Sequence, residues 1–289
     1  MSEDILATIE SRMPGFSKGQ RRIANYILLH YDEAAFMTAA KLGAVSEVSE
    51  STVVRFATAL GYEGYPEFLA DLGELVKSRL TSEQRLEVAK SRIDQGHIIE
   101  NVLAMDADCV RKTISGISRE DFENAVERIV NAENIYVIGV RSSSALASFM
   151  GGYLSMMFKN VQVINGAAQT EPYEQILRIN SNDVLVGVSF PRYSQRTVTT
   201  MQYAKSRGAS VIAITDSERS PLADIADSKL MARCEIISYV DSLVAPLSVI
   251  NALLVAVGMR REEELRWSLG HLEKMWDQYN VYEKNTQEL

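Results

Sequence analysis

The 289 residues include only two cysteines, Cys109 and Cys234, which lie far apart with no C-x-x-C spacing, and three histidines that form no cluster. Neither a disulfide framework nor a zinc site is indicated, and no metal or cofactor is read from the residues. Long apolar runs are also missing. The first thirteen residues carry acidic side chains and no apolar core, and the most apolar later stretch, Leu243 to Met259, is broken by Pro246, Ser248 and Asn251. No targeting leader or membrane span is expected, and the expected compartment is a reducing cytoplasm. There is no basic excess either. A formal net charge of −8 argues against a nonspecific polyanion binder and leaves room only for a small DNA-reading module with local cations.

What is present is 46% apolar composition, enough to bury a sizeable core and to build one large domain plus a small one. The chain is organised around Asn134 to Ser144, N-I-Y-V-I-G-V-R-S-S-S. Ile135 to Ile138 are too short and too β-branched for a helix, whereas Ala145, Leu146, Phe149 and Met150 then take helical spacing. Strand, turn and helix follow in order, and Ser142, Ser143 and Ser144 fall at the helix N-terminus. Free backbone N–H groups and the helix dipole attract anions there, phosphate above all. The alternative is that the serines only cap the helix. Gly151 and Gly152 in the same helix imply close packing by a partner subunit's helix or by a strand of the same chain.

The segment before about Leu80 reads as helical. Ser17 with Gln20 forms a capping box ahead of Ile23, Tyr26 and Ile27, and Thr38 to Ala44 suggests a second short helix. In V-S-E-V-S-E-S-T-V-V-R-F-A-T-A-L-G, Ser49 can start a further helix and Gly61 can end it. Val53, Phe56, Ala57 and Leu60 share one side, and Ser51, Thr52, Arg55 and Thr58 lie toward the other, as in a recognition helix that reads the major groove. Against this, the first 80 residues hold eight Lys or Arg and eleven Asp or Glu, and Glu47 stands in a tight turn that glycine would suit better. A plain helical bundle is the alternative.

The contiguous S-E-S-T-V-V-R-F-A-T-A-L-G-Y-E-G-Y-P-E-F resembles the amino-terminal helix-turn-helix of the RpiR family of bacterial transcription regulators. The resemblance implies operator DNA as a partner, with Lys41, Ser49, Ser51, Thr52 and Arg55 facing it. A recognition helix this short reads few base pairs, so a homodimer or larger homo-oligomer is expected.

Residues 81–96 are charged and read as a linker, helical in part. From 97 the pattern becomes helix, then alternating strands and helices. Strands are expected at Val161 to Ile164, Val184 to Ser189, Val211 to Thr215 and, more weakly, Lys229 to Ala232. Such alternation implies a mainly parallel sheet covered on both faces, with ligands outside the carboxyl strand ends. After the strand at 184, S-F-P-R-Y-S-Q-R-T offers Ser189, Ser194 and Thr197 as hydroxyls and Arg192 as a cation. Residues 97–289 resemble the sugar isomerase (SIS) domain that follows the helix-turn-helix in RpiR regulators. The expected fold is therefore α/β: a small all-α domain over 1–80, then a three-layer α/β/α SIS fold.

That resemblance implies a phosphosugar seat formed by Ser142, Ser143, Ser144, Ser189, Arg192, Ser194 and Thr197. The chain departs from the family's usual S-x-S-G-x-T in having Pro191 and Arg192 for the second serine and the glycine, and Arg141 stands where many members have glycine. Asp216 to Pro221 and the closing W-S-L-G-H-L-E-K-M-W-D-Q-Y-N-V-Y are further shared features, with Trp276 and Tyr279 read as packing residues. The expected function is a DNA-binding regulator that senses a phosphorylated or otherwise anionic sugar, with no enzymatic turnover. The rival is a phosphosugar isomerase or lyase of the same fold, for which Glu235 and His271 are the available bases.

Overall fold

The structure, a computed structural model, describes residues 5–164 and 170–283. Two compact units emerge: one comprises the chain through Met105 together with Ile236–Asp241, the other Asp106–Glu235 and Ser242 onward.

The first unit is helical: α1 (Ile5–Arg12), α2 (Lys18–Leu29), α3 (Tyr31–Ala34), α4 (Ala39–Val45), α5 (Glu50–Ala59), α6 (Tyr65–Arg79) and α7 (Ser82–Arg92). The capping box expected at α2 is present, because Gln20 N–H donates to Ser17 Oγ while Gln20 Oε1 accepts from Ser17 N–H. Phe56 is fully buried between Phe16 and Phe68, at ring separations of 5.2 and 5.9 Å. The aromatic tail of the sequence signature thus has a physical role: Tyr62 and Tyr65 pack on Phe68, which in turn holds α5. Residues 81–96, expected as a linker, include α7, which opens with a Thr81–Gln84 capping box and buries Ala89.

After α8 (Ile98–Gly116) and α9 (Arg119–Val130) the second unit alternates β1 (Ile135–Gly139), α10 (Ser143–Leu154), β2 (Val161–Ile164), α11 (Pro172–Gln175), β3 (Val184–Val188), α12 (Gln195–Ser206), β4 (Ser210–Thr215) and β5 (Ser228–Met231). It closes with α13 (Val244–Arg260) and α14 (Glu262–Gln278). All strand pairs are parallel, in the order β2-β1-β3-β4-β5. Alternate residues serve opposite faces, as strand geometry requires. Val137, Val186, Val188, Ile212 and Ile214 enter one core with α9, α10 and α13, while Ile138, Leu185, Val211 and Ala213 enter another with α12.

The glycine pair in α10 is resolved by packing. A Cβ on Gly151 would lie 2.2 Å from Val163 Cγ2 of β2, and one on Gly152 would meet nothing within 4 Å. The close partner of Gly151 is therefore a strand of the same chain, while Gly152 has open space above it. Tyr279 is 68% exposed, so its expected packing role is corrected, whereas Trp276 is half-buried against the Tyr282 ring at 5.3 Å.

Candidate functional site

In the helical unit, α4, a turn and α5 form the helix-turn-helix. Gly43 allows the two helices to approach, since a Cβ there would lie 2.9 Å from Val48 O. The sequence reading missed this glycine, whose signal was a small residue mid-helix four positions ahead of the turn. Glu47 takes the left-handed backbone expected of glycine, with φ 52°. Arg22 holds it there, donating to Glu47 O at 3.2 Å and pairing with its carboxylate at 3.3 Å.

Ser49 occupies the α5 N-cap, but its hydroxyl makes no bond to the helix backbone, which corrects the expected cap. It hydrogen-bonds instead with Ser51 Oγ and Thr52 Oγ1, both at 2.9 Å. Arg55 folds back along the helix, its Nε donating to Ser51 O at 3.2 Å. Ser49, Ser51 and Arg55 are exposed and Thr52 is half-buried, so these four residues form one polar patch at the start of α5. Lys41 is exposed on α4. Val53, Phe56 and Ala57 are buried on the opposite side. The patch presents donors and acceptors of the kind that meet phosphate oxygens and base edges.

In the second unit the two hydroxyl loops follow β1 and β3, which are neighbours in register, Gly139 opposite Val188. The sheet order reverses at this pair: β2 lies beyond β1 on one side, and β3, β4 and β5 follow on the other. Loops leaving such a switch point diverge to opposite faces and open a crevice at the carboxyl strand ends. Gly139 brings the α10 N-terminus close to β1, because a Cβ there would sit 2.3 Å from Ser143 O.

Ser142 is the N-cap of α10 without a capping hydrogen bond, Ser143 is buried, and Ser144 Oγ donates to Arg141 O at 2.6 Å. The capping alternative for these serines therefore fails. Arg141, where glycine is usual, adopts a left-handed φ of 58° and is exposed.

On the β3 side, Ser189 Oγ accepts from Ser194 N at 3.0 Å, and Ser194 Oγ accepts from Thr197 N at 3.4 Å as the α12 N-cap. Capping is thus real at Ser194. A hydroxyl that accepts a backbone N–H still has its own proton to donate. Thr197 is fully buried, and its Oγ1 has no protein partner. Pro191 is buried, while Arg192 is exposed at the loop surface.

Beneath the loop a polar network ties β3 to β4. Thr215 Oγ1 donates to Ser189 O at 2.9 Å and hydrogen-bonds with Ser220 Oγ at 2.8 Å, and Tyr193 OH donates to Asp216 Oδ1 at 2.9 Å. Asp216 and Tyr193 were not among the expected site residues. Their link requires the β3 and β4 loops to meet, which residue type alone does not reveal.

The two residues weighed as catalytic bases lie elsewhere. His271 is exposed on α14, stacked on Trp267 at 4.1 Å, with Nδ1 2.9 Å from Trp267 O. Glu235 lies beyond the end of β5, which β4 separates from β3, and its backbone oxygen accepts from Ser242 N–H at 3.2 Å.

Residues 3–78 match the helix-turn-helix domain of the rpiR family, and residues 128–256 match the SIS domain. An HTH-type transcriptional regulator of Haemophilus influenzae is 29% identical over 232 residues, covering 80% of each chain. Among solved structures, the sugar isomerase domain of an RpiR transcription factor from Sphaerobacter thermophilus shares 30% identity at a TM-score of 0.57, covering 60% of this chain and 96% of that one. The Vibrio vulnificus NanR protein complexed with ManNAc-6P shares 22% identity at a TM-score of 0.60, covering 96% and 99%.

Proposed function

This chain belongs to the RpiR family of helix-turn-helix transcriptional regulators with a SIS domain, and from that premise we infer that it binds operator DNA through Ser49, Ser51, Thr52, Arg55 and Lys41 under the control of a phosphorylated sugar. The observation that carries the effector half is the strand order. It puts Ser142 to Ser144 and the loop from Ser189 to Thr197 on the two sides of one switch point, with the buried Thr197 hydroxyl unpartnered. An anion there meets the α10 N-terminus and the free protons of Ser189 and Ser194. The Vibrio vulnificus protein holds ManNAc-6P, so the fold accommodates a ligand of this class. Arg192, exposed at the mouth, supplies a cation for a second anionic group such as a carboxylate.

Turnover is not part of this reading, since a phosphate seat without an adjacent acid and base binds the sugar and leaves its carbon skeleton intact. The ligand acts on DNA affinity only through different affinities for the DNA-competent and DNA-incompetent arrangements. The working unit is a homodimer, which doubles the short base-pair readout of α5. A groove of about 600 Å³ between α10, α13 and the start of α14, lined by Phe149, Tyr153, Met157, Leu254, Val255 and Met259, favours this face as the dimer surface. α14 leaves α13 at 102°, buries none of its own residues and exposes Trp267.

The test is binding of the purified protein, at fixed salt, to the duplex upstream of its own gene and to random duplex, with and without a panel of neutral sugars, acid sugars and sugar phosphates. Preference for its own duplex, modulated by a sugar phosphate, is expected. Equal affinity for both duplexes refutes the DNA half, and a neutral sugar acting best refutes the effector half.

A further inference from the structure

Between β5 and α13 the chain makes an excursion that belongs to the helical unit. Residues 236–241 fold as a small hairpin, with Ile236 bridged antiparallel to Asp241 and Ser238 N–H donating to Val240 O at 3.2 Å. Ile236 is 5% exposed and sits in the same core as Phe56, Phe68 and Leu72. Asp241 pairs with Arg85 of α7 at 2.6 Å, and the two side chains are 16% and 5% exposed. An ion pair this deep is broken at high cost if one partner is removed, because the other charge remains buried. The base of the hairpin is therefore held in the helical unit by shape and by charge.

The residues that flank the hairpin, 232–235 and 242, belong to the second unit and are fixed within it. Ala232 N–H donates to Thr215 O at 2.7 Å, and Arg233 N–H to Thr113 Oγ1 at 2.9 Å. Cys234 Sγ donates to Ser242 O at 3.2 Å, Ser242 N–H to Glu235 O at 3.2 Å, and Ser242 Oγ to Asp106 at 2.5 Å. Thr215 is the residue whose hydroxyl bonds to Ser189 O at the proposed effector seat. Hydrogen bonds thus link the β3 loop to the end of β4 and on to Ala232, from which three residues of chain lead to the hairpin.

We propose that the 236–241 hairpin, locked by the Arg85–Asp241 pair, is the element through which the state of the β3 and β4 loops sets the DNA affinity of the helical unit, with Arg85 and Asp241 as positioning residues. Neither of them is offered as a DNA or effector contact. The inference takes its input from the effector seat proposed above, but the coupling it asserts exists without ligand. A change at Thr215 alters the hairpin root, and the clamp passes that change to α7 instead of letting the hairpin slide.

The experiment is a double-mutant cycle on the full chain, reading the dissociation constant for the duplex upstream of its own gene. Thr215→Val perturbs the loop end and Asp241→Asn perturbs the clamp. Arg85→Met combined with Asp241→Leu removes both charges, and so retains a folded clamp region if Asp241→Asn alone is too destabilising. The Thr215→Val effect is expected to change threefold or more in either clamp background. Amide hydrogen exchange is expected to show the same coupling: Thr215→Val speeds exchange at Ser238, and the clamp variants speed it at Ala232. Additive effects on DNA affinity with unchanged exchange overturn the proposal. Calorimetry with ManNAc-6P on the same proteins reports separately on the effector seat: binding that persists while the cycle is additive leaves the seat standing and removes the hairpin's role.

Discussion

Substituting Gly139 by Ala tests the effector seat at the point where packing and ligand binding meet. The added Cβ would lie 2.3 Å from Ser143 O, 2.8 Å from Ser143 C and 3.1 Å from Ala147 Cβ. The two shortest contacts are to backbone, so no side chain can rotate away and the first turn of α10 must retreat by about 1 Å to restore ordinary contact, the kind of overpacking that costs about 1–3 kcal/mol. The same retreat carries Ser142 to Ser144 away from β3. A charge-assisted hydrogen bond stretched by about 1 Å beyond its usual length is effectively lost, at roughly 1.5–3 kcal/mol, or about tenfold to 150-fold in affinity. Urea denaturation measures the first effect, and calorimetry with sugar phosphates, ManNAc-6P included, the second. Gly151→Ala is the control: its Cβ meets the Val163 side chain on β2, away from the switch point, so stability should fall while ligand affinity holds. If Gly139→Ala loses stability but binds as well as the wild type, the glycine is a packing residue and the α10 N-terminus is not part of the seat.

Gly152→Ala should instead stabilise the protein by about 0.5–1 kcal/mol, since its Cβ points into open space on a helix, and a lower urea midpoint would contradict that. Arg55→Ala should weaken operator binding by about 1–3 kcal/mol at a single base position, which a set of base-substituted duplexes will show as lost discrimination there. Tyr65 donates to Met37 O at 2.9 Å, and burial pushes its phenol from 10.0 up to about 12. Because the folded state holds that proton more tightly than the unfolded state, its contribution is whole below pH 10 and is lost as pH rises toward 12. Tyr65→Phe should remove this alkaline component from urea midpoints measured across that range. Met259→Asp, on the proposed dimer face, should convert a dimer to a monomer in light scattering, and an unchanged mass would place the interface elsewhere.

Local patterns were the legible part of this chain. The short apolar runs of β3 and β4 and the apolar stripe of α5 each announce an element through neighbours a few positions away, and each element is present. What the sequence concealed depends on distant partners. Nothing in C-E-I-I-S-Y-V-D-S marks Ile236 as a core residue of a unit that otherwise ends at Met105. A run of charge over 81–96 suggests a solvated linker until Arg85 is seen to be buried against Asp241, 156 positions away. Ser49 has the residue type and position of a cap, yet neighbouring hydroxyls compete successfully for its oxygen. At the proposed effector seat the hydroxyls are visible as residue types, but the tie from Tyr193 to Asp216 needed the order of β3 and β4.

The hairpin also bears on the order in which the protein can be made. During synthesis the chain emerges from its amino terminus, and domains generally fold as units as they appear. The DNA-reading unit does not have its whole core at residue 105, because Ile236 is still unmade and, with Asp241, follows only after the five strands of the sheet. Before then Arg85 lacks the Asp241 carboxylate and the helices lack one of their apolar residues. A completed DNA reader is thus released only with most of its sensor already translated, and an amino-terminal fragment expressed alone starts without this clamp.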